Sequence, residues 1–468
     1  MKPLKMLIAG QMVDGDRRLD VINPATGEVF ASASCASPAQ LDAAVAAAKA
    51  AFPAWSRTTF EARREMIGKF ADAVGGHSTV LARLLTQEQG KPLAESTAEV
   101  TYMEAFIRSF AELELPNQVL EDSDTRKIQT RRKPLGVVAA IIPWNFPLLI
   151  IAFKMPMAVL AGNTVVLKPA ATTPLTALKI AELIANIFPP GVVNIIADNN
   201  DLGDRLAGHP DVAKVSFTGS TQTGRKVMAA AAATIKRLTL ELGGNDAAIV
   251  LPDVDPTAAA EQIFDAAFMN AGQVCIAVKR VYAHDDVYED LCAALAKRAD
   301  EAVVDDGLKQ GTQIGPLQNK NQLEKVKGFL EDARINGRII AGGHIEDRPG
   351  YFVRPTIVRD ISDGTRLVDE EQFGPVLPII RFSDTEDALA RANSSSMGLG
   401  GSIWSRDRGA AQALAARMDA GTVWINQHLD FGPGIPFGGA KQSGLGVEFG
   451  KEGFQEFTQL QVINERVD

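Results

Sequence analysis

The chain has 468 residues, of which 46% are hydrophobic and 22% charged. These averages are typical of soluble globular proteins and exclude disorder, collagen and coiled coil as descriptions of the whole chain. At roughly 100–200 residues per domain, the length predicts two or three domains. Lys and Arg total 48 against 57 Asp and Glu, a net charge of −9, which argues against a nucleic-acid partner because phosphate binding needs a basic surface.

Cysteine chemistry, if any, has to come from a single thiol. The three cysteines, Cys35, Cys275 and Cys292, are too few and too scattered for a disulfide framework or a paired-thiolate zinc site, and we predict no metal. Residues 1–15 carry no signal-peptide pattern. The apolar region 135–162 is interrupted by three prolines and a lysine, so no membrane span is predicted. We expect a cytoplasmic protein without a membrane partner.

The first half of the chain alternates strands with helices. Ser37, Pro38 and Gln40 predict a helix over 37–52 that begins with a capping box. The predicted strands are 136–142, 163–168, 192–196, 214–218 and 237–242, with helices at 174–187 and 222–233. Continuous apolar strands between helices are typical of a parallel sheet that is covered on both faces.

A second alternation begins after about residue 244. Its predicted strands are 246–251, 279–283, 376–382 and 421–426, and its helices are 256–270, 286–302, 320–336 and 385–393. The predicted fold class is therefore α/β, with two doubly wound parallel-sheet domains. Segment 121–134 contains five basic residues directly after acidic ones, which favours a solvated strand or an oligomer contact over a nucleic-acid patch.

Two residues combine into a candidate catalytic pair. Cys275 follows the predicted helix 256–270, and Gly272 with Gln273 ends that helix, so the thiol is expected on a loop. A lone cysteine is more often structural than nucleophilic. Glu241 ends an apolar strand before two glycines; it either makes a surface salt bridge or is a partly desolvated base with a raised pKa.

Two further motifs follow predicted strands. In PWNFP, Asn145 either caps the turn or donates a hydrogen bond to a developing oxyanion, and the sequence leaves both open. In SFTGSTQTG, Gly219 and Ser220 lead into a helix that starts near Gln222, with Gly224 in its first turn. A strand, a glycine turn and a helix start suit a dinucleotide phosphate, although the G-x-G-x-x-G spacing is lacking.

Taken in order, PWNFP, LKP, FTGS, LELGG, GQVC, EEQFGP and PFGGAKQSGLG resemble the aldehyde dehydrogenase superfamily over nearly the whole chain. The resemblance implies NAD(P)-dependent oxidation of an aldehyde to the acid through a thiohemiacetal and a thioester on Cys275. It assigns Asn145 and the Cys275 N–H to the oxyanion hole and Glu241 to water activation. Glu448 resembles a second carboxylate that assists proton relay, and Lys154 resembles its companion lysine.

The same resemblance implies a cofactor site for NAD, made of Trp144, Lys168, Gly219, Ser220, Gly224, Leu242, Glu371 and Phe373. Lys168 resembles the lysine that contacts the adenosine ribose. Many NAD-preferring relatives carry a glutamate three residues later, where this chain has Ala171. Because that carboxylate would repel a 2′-phosphate, its absence predicts NAD with NADP as a tolerated alternative.

The implied substrate pocket consists of Phe146, Leu149, Ile150, Phe153, Val274, Ile276, Phe431 and Phe437. Its lining predicts an apolar or aromatic aldehyde. No arginine lies between Asn426 and Phe437, where some semialdehyde-specific relatives pair one with a substrate carboxylate. His428 and Asp430 in this loop are interpreted as solvated, with recognition of a hydroxyl or a cation as the alternative.

The resemblance also implies a division of the chain. It gives an NAD(P)-binding domain at 1–114 and 135–243, a catalytic domain at 244–445, and oligomerisation segments at 115–134 and 446–468 that form a small β arm in a homodimer or homotetramer. A semialdehyde dehydrogenase, a CoA-acylating enzyme (disfavoured by Glu241), a cysteine hydrolase and a non-catalytic protein are the competing interpretations.

Overall fold

A computed structural model describes residues 3–467 of the chain. Its strands are β1 (Met6–Ile8), β2 (Gln11–Val13), β3 (Arg17–Asn23), β4 (Glu28–Cys35), β5 (Gln118–Asp122), β6 (Arg126–Pro134), β7 (Val137–Ile141), β8 (Thr164–Lys168), β9 (Val193–Ile195), β10 (Val212–Thr218), β11 (Arg237–Glu241), β12 (Asp246–Val250), β13 (Val278–His284), β14 (Arg338–Ala341), β15 (Thr356–Arg359), β16 (Val376–Phe382), β17 (Met397–Gly398), β18 (Gly400–Trp404), β19 (Thr422–Ile425), β20 (Ala440–Lys441), β21 (Gly444–Leu445) and β22 (Thr458–Arg466).

The α-helices connect and cover these strands. They are α1 (Pro38–Trp55), α2 (Phe60–Gly75), α3 (Ser78–Gln89), α4 (Leu93–Ala111), α5 (Pro147–Leu160), α6 (Leu175–Ile184), α7 (Gly203–Gly208), α8 (Thr221–Ala231), α9 (Pro256–Phe268), α10 (Asp285–Glu301), α11 (Lys320–Asn336), α12 (Arg366–Asp369), α13 (Thr385–Asn393), α14 (Arg408–Ala415) and α15 (Gly450–Gln455). The capping box predicted at Ser37 and Gln40 is present at the start of α1.

The first sheet has the strand order β2-β1-β9-β8-β7-β10-β11-β21. Its central strands, β9 to β11, run parallel, and β1, β2 and β21 add antiparallel edges. The chain builds β7, β8 and β9 outward in one direction and then returns, so that β10 pairs with β7. In open parallel sheets such a reversal opens a crevice at the carboxyl ends of the two strands, where ligands bind.

The second sheet has the order β14-β15-β16-β13-β12-β18-β19 and is parallel except for β14. Its interior strands are largely buried, β12 and β18 completely, as expected for strands that are covered on both sides. The predicted two-sheet α/β class is confirmed. The buried strand β18 was not among the predicted strands, because GGSIW carries two glycines and weak strand propensity.

A short connection joins the two sheets at the centre of the molecule. β11 ends at Glu241 in the first sheet, and β12 begins at Asp246 in the second. Gly244 lies in this connection, where a Cβ atom would approach the carbonyl oxygen of Cys275 to 2.7 Å. Glycine is required there because no side chain fits. The carboxyl edge of the first sheet therefore meets the amino edge of the second.

A separate three-stranded antiparallel sheet, β22-β6-β5, forms an arm. β22 pairs with β6 from Thr458 opposite Pro134 to Arg466 opposite Arg126. The strand predicted within 121–134 is thus present as β6, with alternate residues exposed. The apolar region 135–162 divides into β7 and the buried 14-residue α5. Within residues 3–467, no helix has the length and apolar character that crossing a membrane would require.

Candidate active site

Cys275 lies on a tight turn just before β13. After α9, a 3₁₀ turn at Met269–Gly272 holds Asn270 and Ala271 at φ values of 49° and 55°, a left-handed conformation that is strained for residues with a Cβ and is often found at functional sites. The next turn is closed by the N–H of Ala277, which donates to the carbonyl of Val274 at 3.2 Å. The expected loop position of the thiol is confirmed. Cys275 is partly exposed, whereas the other two cysteines are buried.

The environment of the Cys275 thiol opposes its ionisation. Burial, together with the charges of Glu241, Glu371 and Asp246, raises its pKa to about 12, and Lys279 is the cation that counteracts this. The thiolate is the reactive form of cysteine. The thiol therefore has to lose its proton before it can react, and Glu241 is one of the carboxylates whose charge raises its pKa.

Glu241 is buried at the end of β11, with 3% of the residue exposed, so the surface salt bridge considered from the sequence is wrong. Neither carboxylate oxygen makes a hydrogen bond of good geometry with the described residues. Burial, followed by repulsion from Glu448, raises its pKa well above the usual value, while Lys154 and the N–H of Gly439 oppose the rise. Such a carboxyl keeps its proton to higher pH than an exposed one and can act in proton transfer.

Lys154 and Glu448 form a buried ion pair next to Glu241. The Lys154 Nζ also donates to the Ser216 hydroxyl at 3.0 Å. Glu448 is fixed by two reciprocal backbone hydrogen bonds with Phe437, at 2.7 and 2.8 Å. The structure thus brings together these two residues, which are 294 positions apart.

Asn145 follows β7 and reaches the cysteine loop. Its Nδ2 donates to the carbonyl of Gln273 at 3.1 Å, and its own carbonyl accepts from the Lys91 Nζ at 2.8 Å. Lys91 is buried and paired with Glu99, which in turn accepts the N–H groups of Leu148 and Leu149 at the start of α5. The sequence analysis missed the role of Lys91 and Glu99 in holding Asn145 and α5. The only sequence feature that marks them is the charged segment QGKPLAESTAE, whose contact partners lie about 50 residues away.

Most of the residues assigned to the cofactor stand at or just after the carboxyl ends of β7, β8, β10 and β11. Ser220 caps α8, and its hydroxyl accepts a hydrogen bond from the N–H of Thr223 at 3.3 Å. Gly224 packs directly against the Leu242 side chain, and a Cβ atom at this position would lie only 2.5 Å from it. Trp144 and Phe373 stack edge to face with centroids 5.3 Å apart.

Glu371 lies at the junction between the crevice and the cysteine turn. Its Oε1 accepts the N–H of Gly244 at 3.1 Å and lies 3.5 Å from the Lys279 Nζ. The neighbouring Phe373 has a φ of 51°, and its carbonyl accepts a hydrogen bond from the Gln322 Nε2 at 2.8 Å. The strained backbone at Phe373 is thus held by α11.

Lys168, at the end of β8, is paired with a carboxylate that the sequence analysis did not single out. Its Nζ lies 2.6 Å from Asp198 Oδ1, and both side chains are buried. The second Asp198 oxygen accepts the N–H of Leu202 at 2.8 Å. The available signal was that Asp198 follows predicted strand 192–196, the neighbour of strand 163–168 in a parallel sheet.

A cluster of phenylalanines lies beside α5. Phe153 packs against Phe449 and Phe106 with centroids 4.4 and 5.0 Å apart, and Phe431 lies 6.0 Å from Phe106. Phe437 stacks on Phe449 at 5.6 Å. The sequence analysis named Phe153, Phe431 and Phe437 but missed the other two, whose positions carry no motif.

The other residues assigned to the pocket differ in their surroundings. Leu149, Ile150, Val274 and Ile276 are buried. Phe146 lies beneath the Lys91 ammonium, 3.5 Å from the ring centroid, in a cation–π contact.

His428 is not solvated, contrary to the preferred interpretation of its loop. Its side chain is fully buried, with Nε2 2.8 Å from the carbonyl of Ile276 and Nδ1 3.0 Å from the Ser402 hydroxyl. The neighbouring Trp424 ring covers it at 4.5 Å. The error arose because Ile276 and Ser402 approach from two distant segments of the chain. Asp430 is exposed, as expected of a loop residue.

Comparison with known proteins gives a consistent result. A sequence model of the Aldehyde dehydrogenase family matches residues 12–463. A phenylacetaldehyde dehydrogenase from Pseudomonas fluorescens is 42% identical, covering 97% of this chain and 94% of its own. A mitochondrial succinate-semialdehyde dehydrogenase from Arabidopsis thaliana is 39% identical, covering 98% of this chain and 88% of its own.

The solved structures agree with the sequence comparisons. The NAD+ complex of an aldehyde dehydrogenase from Bacillus cereus superposes with a TM-score of 0.97 at 37% identity, covering 100% of this chain and 97% of that chain. The family model matches nearly the whole chain, the relatives are well above 30% identical, and the fold is shared. The chain belongs to the aldehyde dehydrogenase family.

Proposed function

We propose that this chain oxidises an aldehyde to its carboxylic acid through a covalent intermediate on Cys275, with NAD+ as the oxidant. The observation that carries the proposal is a partly exposed thiol, on a tight turn that follows a strained one, whose pKa responds to the charge of Glu241, a buried carboxyl that has no hydrogen-bond partner of good geometry. An unpaired buried carboxyl is costly to stability. Its retention beside a thiol favours a role in proton transfer.

The residues divide the chemistry among them. The Cys275 thiol gives up its proton to solvent water; its sulfur then forms a bond with the carbonyl carbon, and the electron pair of the broken π bond moves to the oxygen. Asn145 Nδ2 and the N–H of Cys275 stabilise that oxyanion. NAD+, when bound, accepts the hydride. Glu241 then takes a proton from the water that attacks the remaining thioester, which releases the acid and the Cys275 sulfur. Glu448 and Lys154 relay the proton away from Glu241.

The crevice between β7 and β10 fits a dinucleotide. It lies at the point where the strand order reverses, and α8 presents its N-terminus there behind a glycine turn, an arrangement that suits a phosphate. We assign Trp144, Gly219, Ser220, Gly224 and Leu242 to one wall of this site, with Lys168, Glu371 and Phe373 completing it. The NAD+ complex of the Bacillus cereus relative supports the choice of cofactor.

Asp198 favours NAD+ over NADP+, although Ala171 alone suggests tolerance of both. Because Asp198 pairs with Lys168, the lysine has no uncompensated charge to offer a 2′-phosphate, and the carboxylate repels one. A carboxylate near the ribose is the usual device for selecting NAD.

The phenylalanine cluster favours an aromatic or apolar aldehyde. Its rings supply edge-to-face contacts to a flat apolar group, and the relative from Pseudomonas fluorescens that is named for phenylacetaldehyde supports this class. A semialdehyde is the alternative, because the Arabidopsis thaliana relative is named for one. The lack of an arginine between Asn426 and Phe437 argues against it.

The arm is proposed to join copies of the chain into a homodimer or homotetramer. Its outward-facing side chains include the exposed apolar residues Val119, Leu120, Leu460 and Val462, and exposed apolar strand faces mark association surfaces. With this role for the arm at 115–134 and 446–468, we assign cofactor binding to residues 1–114 and 135–243 and catalysis to residues 244–445.

A cofactor and substrate panel tests the proposal. Aliphatic, aromatic and carboxylated aldehydes are compared by kcat/KM with NAD+ and NADP+, with and without coenzyme A. We expect acid formation without coenzyme A, highest kcat/KM for aromatic aldehydes and preference for NAD+. Acid formation that depends on coenzyme A would replace hydrolysis by acyl transfer, and a preference for carboxylated aldehydes would favour the semialdehyde alternative.

A further inference from the structure

Lys279 occupies a position behind the Cys275 turn that no step above uses. It is buried, with 2% of the residue exposed. Its Nζ donates to the carbonyl of Val274 at 2.8 Å and to the carbonyl of Cys275 at 2.6 Å. A third neighbour, Glu371 Oε1, lies 3.5 Å away. An ammonium group has three hydrogens; two are donated to these carbonyls, and the nearby Glu371 carboxylate offsets the cost of burying the charge.

The planar peptide bond links the direction of these two carbonyls to the direction of the neighbouring N–H groups. A trans peptide is planar, so its N–H points opposite to its C=O. The carbonyl of Val274 belongs to the same peptide as the N–H of Cys275, and the carbonyl of Cys275 to the same peptide as the N–H of Ile276. Since both carbonyls point at one ammonium, the two N–H groups are directed to the other side of the turn.

Neither of these N–H groups donates a hydrogen bond to any acceptor within residues 3–467. The turn itself is closed by a different donor, the N–H of Ala277. The next carbonyl, that of Ile276, is bound by His428. Successive unpaired N–H groups with this common direction form a concave site that attracts anions.

We propose that Lys279 is a positioning residue that holds the N–H groups of Cys275 and Ile276 as a two-donor site for the substrate oxyanion. The inference rests on the proposed covalent function and adds to it a second backbone donor and the group that orients both. The ammonium also polarises the two peptides from their carbonyl ends, which strengthens their N–H groups as donors. No proton is transferred to or from Lys279.

The test compares two reactions of the same thiol, neither of which requires NAD+. Hydrolysis of p-nitrophenyl acetate passes through a tetrahedral oxyanion, whereas alkylation by iodoacetamide displaces iodide without one. Both require the thiolate, so the ratio of ester kcat/KM to the alkylation rate constant at one pH cancels the fraction of ionised thiol. This ratio isolates oxyanion stabilisation from thiol acidity and access.

Lys279→Met removes the donor and the charge at similar length. We expect the ratio to fall about 100-fold, the usual effect of losing an oxyanion donor. Lys236→Met is the matched control, because Lys236 likewise donates to two carbonyls, those of His209 and Val212, and it should keep the parent ratio. A ratio in Lys279→Met within threefold of the parent would overturn the inference.

A second variant keeps the test valid if Lys279→Met does not fold. Lys279→Gln keeps a neutral donor and should lower the ratio at least tenfold with an unchanged melting temperature; an unchanged ratio in this variant also overturns the inference. Cys275→Ala separates the two proposals in the same ester assay. If Cys275→Ala still hydrolyses the ester at the parent rate, the covalent function fails; if it is inactive while Lys279→Met keeps the parent ratio, only the role of Lys279 fails.

Discussion

Replacing Glu241 by glutamine removes the proposed base and changes little else in shape. Neither oxygen of the parent carboxylate has a hydrogen bond of good geometry to lose, so the amide substitutes without breaking an established contact. A positioned general base contributes about 10²–10⁴ in rate. We expect kcat for aldehyde oxidation to fall at least about 100-fold, because the thioester on Cys275 is no longer hydrolysed efficiently.

The assay is rapid mixing of enzyme, NAD+ and aldehyde with NADH absorbance as the signal. Glu241→Gln should give a burst close to one NADH per active site, followed by slow turnover, because the steps before deacylation do not need the carboxylate. Steady turnover at the parent rate would refute the role of Glu241. Loss of the burst together with kcat would place Glu241 in an earlier step.

The same variant makes a prediction about stability and pH. The pKa of Glu241 is raised in the folded chain from its ordinary value of 4.5, so at pH below that value both folded and unfolded states are protonated. Above it the unfolded chain ionises first, and the parent loses up to about 1.4 kcal/mol of unfolding free energy per pH unit until the folded carboxyl also ionises. The melting temperature of Glu241→Gln relative to the parent should therefore rise between pH 5 and pH 8. A constant difference would contradict the raised pKa.

Three further substitutions test other parts of the site. Cys275→Ala should abolish aldehyde oxidation while calorimetric titration still detects NAD+ binding; residual oxidation at the parent rate would reject the nucleophile. Asp198→Asn removes the charge paired with Lys168 but keeps an acceptor for Leu202, so kcat/KM with NADP+ relative to NAD+ should rise at least about tenfold, and an unchanged ratio would locate cofactor selection elsewhere. Phe431→Ala should lower kcat/KM for phenylacetaldehyde about tenfold more than for acetaldehyde, and equal losses would remove Phe431 from the substrate pocket.

The sequence predicted the parts of the fold that depend on local pattern. Strand 376–382 coincides with β16, and the capping residues of α1 identified its first turn, because both signals lie within a few adjacent residues. The strand β18 escaped detection although it is buried along its whole length between β12 and β19. Its place is determined by pairing with β12 and β19, which local propensity does not encode.

The site shows the same division. Cys275, Glu241 and Asn145 stand beside glycines, prolines or strand ends that mark them in the sequence, and the family resemblance assigns their roles. The groups that support them do not have such markers: the Lys91 ammonium reaches Asn145 across 54 residues, and His428 reaches Ile276 across 152. The partner of a buried charge comes from a distant part of the chain and is known only from the folded structure.

The pair of Lys168 and Asp198 illustrates a consequence for specificity. From the sequence, Ala171 suggested that NADP would be tolerated, because the prediction considered only this one residue of the ribose site. In the folded chain the loop after β9 supplies a carboxylate from a different strand end. Parallel strands deliver their carboxyl ends to one edge of the sheet, so we expect cofactor selection there to depend on two loops rather than one.

Detection of the covalent intermediate on Cys275 tests the proposed mechanism most directly. Glu241→Gln is mixed with NAD+ and phenylacetaldehyde, quenched in acid, and analysed by intact-mass and peptide mass spectrometry. A phenylacetyl increment on the peptide that contains Cys275, dependent on NAD+, is the predicted result. An unmodified Cys275 peptide after a full burst of NADH, or the increment on Cys35 or Cys292, would contradict covalent catalysis at this turn.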